Sequence, residues 1–150
     1  MRSYLVVMDE TAEAAVAMRW VARRAARTGI GVDILALIPP QEFVEWSGVQ
    51  AAIEEEARLR AEAAVLQASG AIIEEAGIRP SILVREGDPV KVIGELLKEN
   101  DDIAALVLGA AAEGGPGPLV SHFAGSVAGS LPCPLIIVPG SLSDEALERS

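Results

Sequence analysis

Apolar residues fall along the chain in five short runs, separated by stretches where apolar and polar residues recur at helical spacing. The first run, YLVVM at 4–8, is continuous, as in a strand covered on both faces. TAEAAVAMRWVARRAARTG follows Asp9 and reads as a helix. Arg19, Arg23 and Arg27 share one face at spacings of four, and Ala14, Ala17, Val21 and Ala25 form the opposite stripe. Gly29 and Gly31 are expected to stop it. VDILALI at 32–38 reads as a second strand, closed by Pro39 and Pro40, which cannot continue a ladder. Residues 41–49, with Phe43 and Trp46, read as a connection whose aromatics cover the core or wall a pocket. A long helix over roughly 50–76 has Glu54, Glu55 and Glu56 at its start, where the positive end of the dipole favours them, and Gly77 as its C-cap. SILVR at 81–85 is the third strand. Asp88-Pro89 then gives an N-cap followed by proline at the first helical position, opening a helix to about Asn100. IAALVLG at 103–109 and PLIIV at 134–138 are strands four and five.

Five apolar strands alternating with helices predict an α/β fold, a doubly wound parallel sheet with helices on both faces. The chain has 150 residues, which suits one domain over 1–140 and a polar, loosely packed tail over 141–150. A net charge of −10 disfavours nucleic acid and anionic membrane surfaces, which bind through excess Lys and Arg. It leaves room for a nucleotide, because backbone N–H groups can hold phosphate locally. The single cysteine, Cys133, forms no internal disulfide and fits a reducing compartment. No apolar run approaches the ~18 residues of a membrane span, so a cytoplasmic location is expected.

In such a sheet ligands bind beyond the carboxyl ends of the strands. At the first exit, Asp9 and Thr11 stand where a helix begins: either caps it, and a carboxylate there also accepts from ribose hydroxyls or an adenine amino group. At the fourth exit lies GAAAEGGPGPLVSHFAGSVAGS. Its small residues suit a backbone phosphate cradle, with Gly109, Gly114, Gly115, Gly117, Gly125 and the Ser126 hydroxyl as contributors. Pro116 and Pro118 each remove a donor, so the stretch also reads as a proline-stiffened connection. His122 lacks a second histidine or a cysteine pair, which argues against a metal site, and no G-x-S-x-G elbow supports a triad.

Four segments together resemble the universal stress protein family over residues 1–140. YLVVMDETAEAAVAMRWVARRAA is similar to its first strand, Asp-containing turn and Ala-rich helix. DILALIPP resembles its second strand and exit. VREGDPVKVIGELLKENDDIAALVLG resembles its Gly-x-Pro turn, third helix and fourth strand, and AGSVAGSLPCPLIIVPG its Gly-Ser helix, Pro-Cys-Pro and last strand. The resemblance implies strand order 3-2-1-4-5 and a homodimer whose last strands pair across a twofold axis. Here that strand is 135–138, with Leu135 and Val138 at its ends, an apolar edge that benefits from cover.

Nucleotide-binding members carry G-x2-G-x9-G-[ST] after strand four. Nine residues separate Gly115 from Gly125-Ser126, but the preceding glycine place is then Ala112. Counted from Gly109 instead, Ala112 takes the second glycine place and twelve residues follow, three more than the pattern. The resemblance implies adenine and ribose contacts from Asp9, Thr11 and the backbone of Leu37 and Ile38. It implies phosphate contacts from Gly109, Gly115, Gly125, Ser126 and Val127. The expected function is a regulatory stress-response domain holding ATP or AMP, with Mg2+ accompanying ATP, and without a catalytic centre. The alternative is a dimeric interaction module of the same fold that has lost the nucleotide.

Overall fold

The computed structural model describes residues 2–9, 11–38 and 47–149. Pro39, Pro40, Phe43 and Trp46, to which the sequence assigned a strand stop and a pocket wall, lie outside them. The elements run β1 (Ser3–Met8), α1 (Ala12–Thr28), β2 (Gly31–Ile38), α2 (Ser47–Ala76), β3 (Ser81–Glu86) and α3 (Pro89–Glu99). They continue with β4 (Ile103–Ala110), α4 (Pro118–Phe123), a single 3-10 turn at Ala128–Ser130, β5 (Leu135–Pro139) and α5 (Asp144–Arg149).

The five strands form one parallel sheet in the order β3-β2-β1-β4-β5. Its centre is apolar on both faces because both are covered. Tyr4 and Val6 of β1 pack with Ile34, Val107, Val21 of α1 and Ile72 of α2. The intervening Leu5 and Val7 pack on the other side with Leu106, Leu108, Ile93 and Leu97 of α3, and Phe123 of α4. This alternation within one continuous apolar run lets β1 sit at the middle of the sheet.

Helix ends follow local chemistry. Gly29, at φ 75°, closes α1 with its N–H on the Ala25 carbonyl. Asp88 caps α3, its Oδ2 accepting from Lys91 N–H at 3.1 Å, with Pro89 at the first helical position. Gly31 does not stop α1; it is the first residue of β2, and its N–H donates to the Arg2 carbonyl at 3.0 Å. The long helix begins at Ser47, inside the stretch expected as a connection. Glu54, Glu55 and Glu56 therefore lie beyond its first turn, where the dipole gives them little.

The tail is not loose. Residues 144–149 form α5, with Leu147 fully buried. Arg19 of α1 reaches Asp144 at 2.7 Å and Glu75 of α2 at 3.7 Å, so one guanidinium links three helices. Arg23 joins the same Glu75 at 3.5 Å. The helical arginine face is thus partly an anchoring face. Exposed pairs of this kind contribute at most about 1 kcal/mol each, so the buried leucine is the main anchor. Leu147→Ala is expected to cost about 2–3 kcal/mol, read as a lower midpoint in urea, while Asp144→Ala costs much less.

Candidate functional site

The order of the strands reverses direction at β1: the chain winds outward to β2 and β3, then returns to β4 and β5. The connections leaving β1 and β4 therefore diverge to opposite faces of the sheet and leave a crevice between their carboxyl ends. Asp9 and Gly109 stand on either side of it.

At the β1 exit, Asp9 Oδ1 accepts from the Thr11 N–H at 3.0 Å and from the Thr11 hydroxyl. Thr11 Oγ1 in turn accepts from Ala14 N–H at 3.2 Å, capping α1. The aspartate and threonine thus build the turn that starts the helix. Both contacts fall on Oδ1, so the second carboxylate oxygen retains its accepting capacity.

At the β4 exit, Gly109 meets the first turn of α1. A Cβ there would lie 2.3 Å from the Glu13 carbonyl oxygen, so no larger residue fits without moving helix or strand. Gly140, whose N–H donates to the Ala110 carbonyl at 2.7 Å, is also tightly packed, a Cβ there lying 2.8 Å from the same carbonyl oxygen. Beyond Ala110 the chain turns back on itself, with Ala111 N–H donating to Pro116 O at 3.2 Å. Gly114, Gly115 and Gly117 all take positive φ, which this reversal requires. Pro118 then opens α4 at its first position.

Asp9, Thr11 and Gly109 come together in one cleft. Val7, Glu13, Ala14 and Leu108 complete its base, and Pro116 to Val120 form its far wall. Its volume is about 90 Å³, against the ~300 Å³ or more usual for a small-molecule site. Among the described residues the lining holds two carboxylates, Asp9 and Glu13, and neither Lys nor Arg.

Pro116, Gly117 and Pro118, read from sequence as part of a cradle or of a proline-stiffened connection, form the far wall instead, and the helix start at Pro118, marked by proline after glycine, is the signal that reading missed. The remaining residues stand elsewhere. Leu37 and Ile38 end β2, and the Ile38 carbonyl accepts from Gly87 N–H at 3.2 Å. Gly115 is at the exposed tip of the 111–117 loop, outside the cleft lining. Gly125 and Ser126 do not open a helix. They follow α4, in a turn where Gly125 N–H donates to His122 O at 3.3 Å. Residues 125–131 include two glycines and two serines and run into Pro132, a composition too poor in helix formers to extend a helix. Val127 lines a separate hollow of about 440 Å³ between α3 and α4, with Leu97, His122, Phe123 and Leu131. The His122 ring stands edge-on to Phe123 at 4.9 Å. Cys133 is half-buried, and that burial pushes its thiol pKa up, consistent with a small apolar filler. Among the described residues no His, Cys, Asp and Glu cluster fits a metal ion, and no helix is long and apolar enough to cross a membrane.

Comparison with known proteins adds one family match and three likenesses of fold. A model of the universal stress protein family matches residues 1–139. The universal stress protein UspA from Lactobacillus plantarum superposes with a TM-score of 0.74 at 18% identity, over 91% of this chain and 97% of that one. The universal stress protein from Archaeoglobus fulgidus in complex with dAMP gives 0.64 at 20% identity, over 92% and 98% of the two chains. A universal stress protein family protein from Arabidopsis thaliana with AMP bound gives 0.60 at 17% identity, over 97% and 99%. No curated protein sequence matches the chain.

The approach at Gly109 gives a direct test of the site's frame. Gly109→Ala is expected to destabilise the protein by about 3 kcal/mol, the upper end for overpacking, because the atoms it meets are backbone and cannot swing away. Gly115→Ala, with open space around its Cβ position, is strained only by its positive φ and costs about 1 kcal/mol. Equal midpoints for these two variants in urea would remove the packing role from Gly109.

Proposed function

Because the chain belongs to the universal stress protein family, we propose that it is an adenine-nucleotide-binding regulatory domain without a dedicated catalytic centre. The observation that carries this reading is the cleft at the strand reversal, where Asp9 and Gly109 face one another across the ends of β1 and β4. Two neighbours of the same fold hold AMP or dAMP. In this reading the free oxygen of Asp9 accepts from ribose hydroxyls, and Thr11 holds the turn. Leu37 and Ile38 offer backbone to the adenine edge. Gly109 offers its end of β4 to phosphate and Gly115 joins it once the 111–117 loop swings outward, while Gly125, Ser126 and Val127 contribute only with a rearrangement of the turn after α4, which now holds the Gly125 N–H on the His122 carbonyl.

The lining favours a mononucleotide over ATP. Two carboxylates and no cation oppose a triphosphate, whereas a ligand rich in hydroxyl donors suits them. Mg2+ is part of the account only if ATP binds. The second reading, an interaction module that has lost the nucleotide, is favoured by the Pro116–Pro118 wall and by the small volume of the cleft. Titration of AMP and of ATP by calorimetry separates the two readings. Binding of AMP in preference to ATP supports the first, and no heat with either ligand supports the second.

Asp9→Asn tests the named contact, since asparagine keeps an oxygen for the Thr11 turn and loses the charge. Affinity for AMP is expected to fall about tenfold, the ~1.4 kcal/mol of one charge-assisted hydrogen bond, with the melting temperature little changed. Unaltered affinity would remove Asp9 from the ligand's contacts.

The same reading includes a cytoplasmic homodimer through β5. That strand lies at the sheet edge, and Ile137 on it is 40% exposed. Leu106 N–H donates to Pro134 O at 2.9 Å. The phase of a parallel ladder then turns Ile136 N–H toward β4 and Ile137 N–H outward. Ile137→Pro removes an outward donor while sparing the internal ladder. It is expected to abolish pairing through this edge in sedimentation without unfolding the chain, and a persisting edge dimer would exclude β5 as the interface.

A further inference from the structure

Helix α2 is apolar on two opposite faces. Ala57, Val65, Ala68 and Ile72 are buried against α1 and the sheet. Leu59, Leu66 and Ile73 are 55%, 71% and 48% exposed. They recur every seven residues, so they form one stripe about half a turn away from the buried one. Between them on the same stripe stand Ala63 and Gly70, both exposed. A Cβ at Gly70 would meet nothing within 4 Å. The fold of one chain therefore gives no reason for the most helix-disfavouring residue after proline inside a long helix, more than a turn before its end at Ala76.

Large residues alternating with small ones on one seam let a second helix approach closely, each large side chain seating on a small one opposite. The register is selected by the sequence. In an antiparallel pair centred between Gln67 and Ser69, Leu66 faces Gly70 of the second copy, Ile73 faces Ala63, and Leu59 faces the Gly77 cap. Arg60 then lies across from Glu74, and by symmetry Glu74 from Arg60. The alternative register places Ile73 against Glu56 and loses both ion pairs, burying a carboxylate without a partner. Size and charge thus agree on one arrangement, along a seam of about 27 Å from Leu59 to Gly77.

We propose that the outer face of α2 is a self-association surface whose occupant is α2 of a second copy of this chain, antiparallel, with Leu66 seated on Gly70 and Arg60 paired with Glu74. The seam is isologous and distinct from the β5 edge. If both operate, the chain has two twofold contacts, which close as a dimer of dimers where the two axes cross at right angles and extend as an open chain where they do not. A single helix pair buries less than the ~800 Å² per partner of a stable interface, so the association is weak and depends on concentration.

The test is sedimentation velocity of the full chain over roughly two decades of concentration, repeated in the Ile137→Pro background to separate the two surfaces. The average mass is expected to rise with concentration in both backgrounds. Leu66→Glu should abolish the rise, and Arg60→Glu should weaken it several-fold by setting like charges across the axis. The double variant Arg60→Glu, Glu74→Arg should restore it, which a merely sticky apolar surface would not do. Circular dichroism of each variant verifies that α2 remains folded. A mass that does not change with concentration would overturn the proposal and leave the stripe to a foreign helix. Association that survives Leu66→Glu, or a double variant no better than Arg60→Glu, would also overturn it.

Discussion

The contact on which the site depends is between two backbones. The Glu13 carbonyl, in the first turn of α1, lies against the α-carbon of Gly109 at the end of β4, with no room for a Cβ between them. This approach draws α1 down over β4 as well as β1, so Asp9 and Thr11 at the start of the helix face the β4 exit. Gly140 repeats the arrangement one strand further on, its N–H on the Ala110 carbonyl. With helix and both strands fixed this closely, the chain leaving Ala110 turns outward through the glycines of the 111–117 loop. The base of the cleft follows from one absent side chain.

The same closeness explains why the cleft is small. Its base is set by α1 packing, and its far wall by two prolines with fixed φ. Pro118 starts α4 early, so the helix lies before Gly125 rather than after it. The residues that resemble a phosphate-binding terminus consequently sit in a turn at the wrong end of a helix for the dipole to assist. Any ligand accommodated here meets carboxylates first, which is why the lining suits hydroxyl donors better than a dense negative charge.

On the opposite face of α1, packing against α2 leaves that helix with more apolar surface than the sheet can cover. The sheet needs only one stripe of α2, and the sequence supplies two. Strand order has a related consequence, since it leaves β3 and β5 as edges, with Ile82 and Ile137 both partly exposed. A net charge of −10 makes copies of the chain repel at long range. Short-range complementarity then decides which surfaces meet.

The five strands and the first three helices, with their order along the chain, were legible in the sequence. Continuous runs such as 4–8 and 103–109 require cover on both faces, and Asp88-Pro89 and Gly29 mark helix ends through contacts spanning only a few residues. Those signals are local and could be read directly. The resemblance of four segments supplied the strand order, which the sheet has. What only tertiary structure decided depends on residues distant along the chain. Gly109 is constrained by Glu13, Leu147 of the tail docks as the last turn of a helix tied to Arg19, and Pro116 closes a cleft begun at Asp9. Helix α2 began earlier than its charges suggested, and Gly125 ended a turn instead of opening a helix. Periodicity reports which face of an element is apolar, but not which backbone will come within van der Waals distance of it. That distance is set by the packing of the whole sheet, and it is where the candidate site was made.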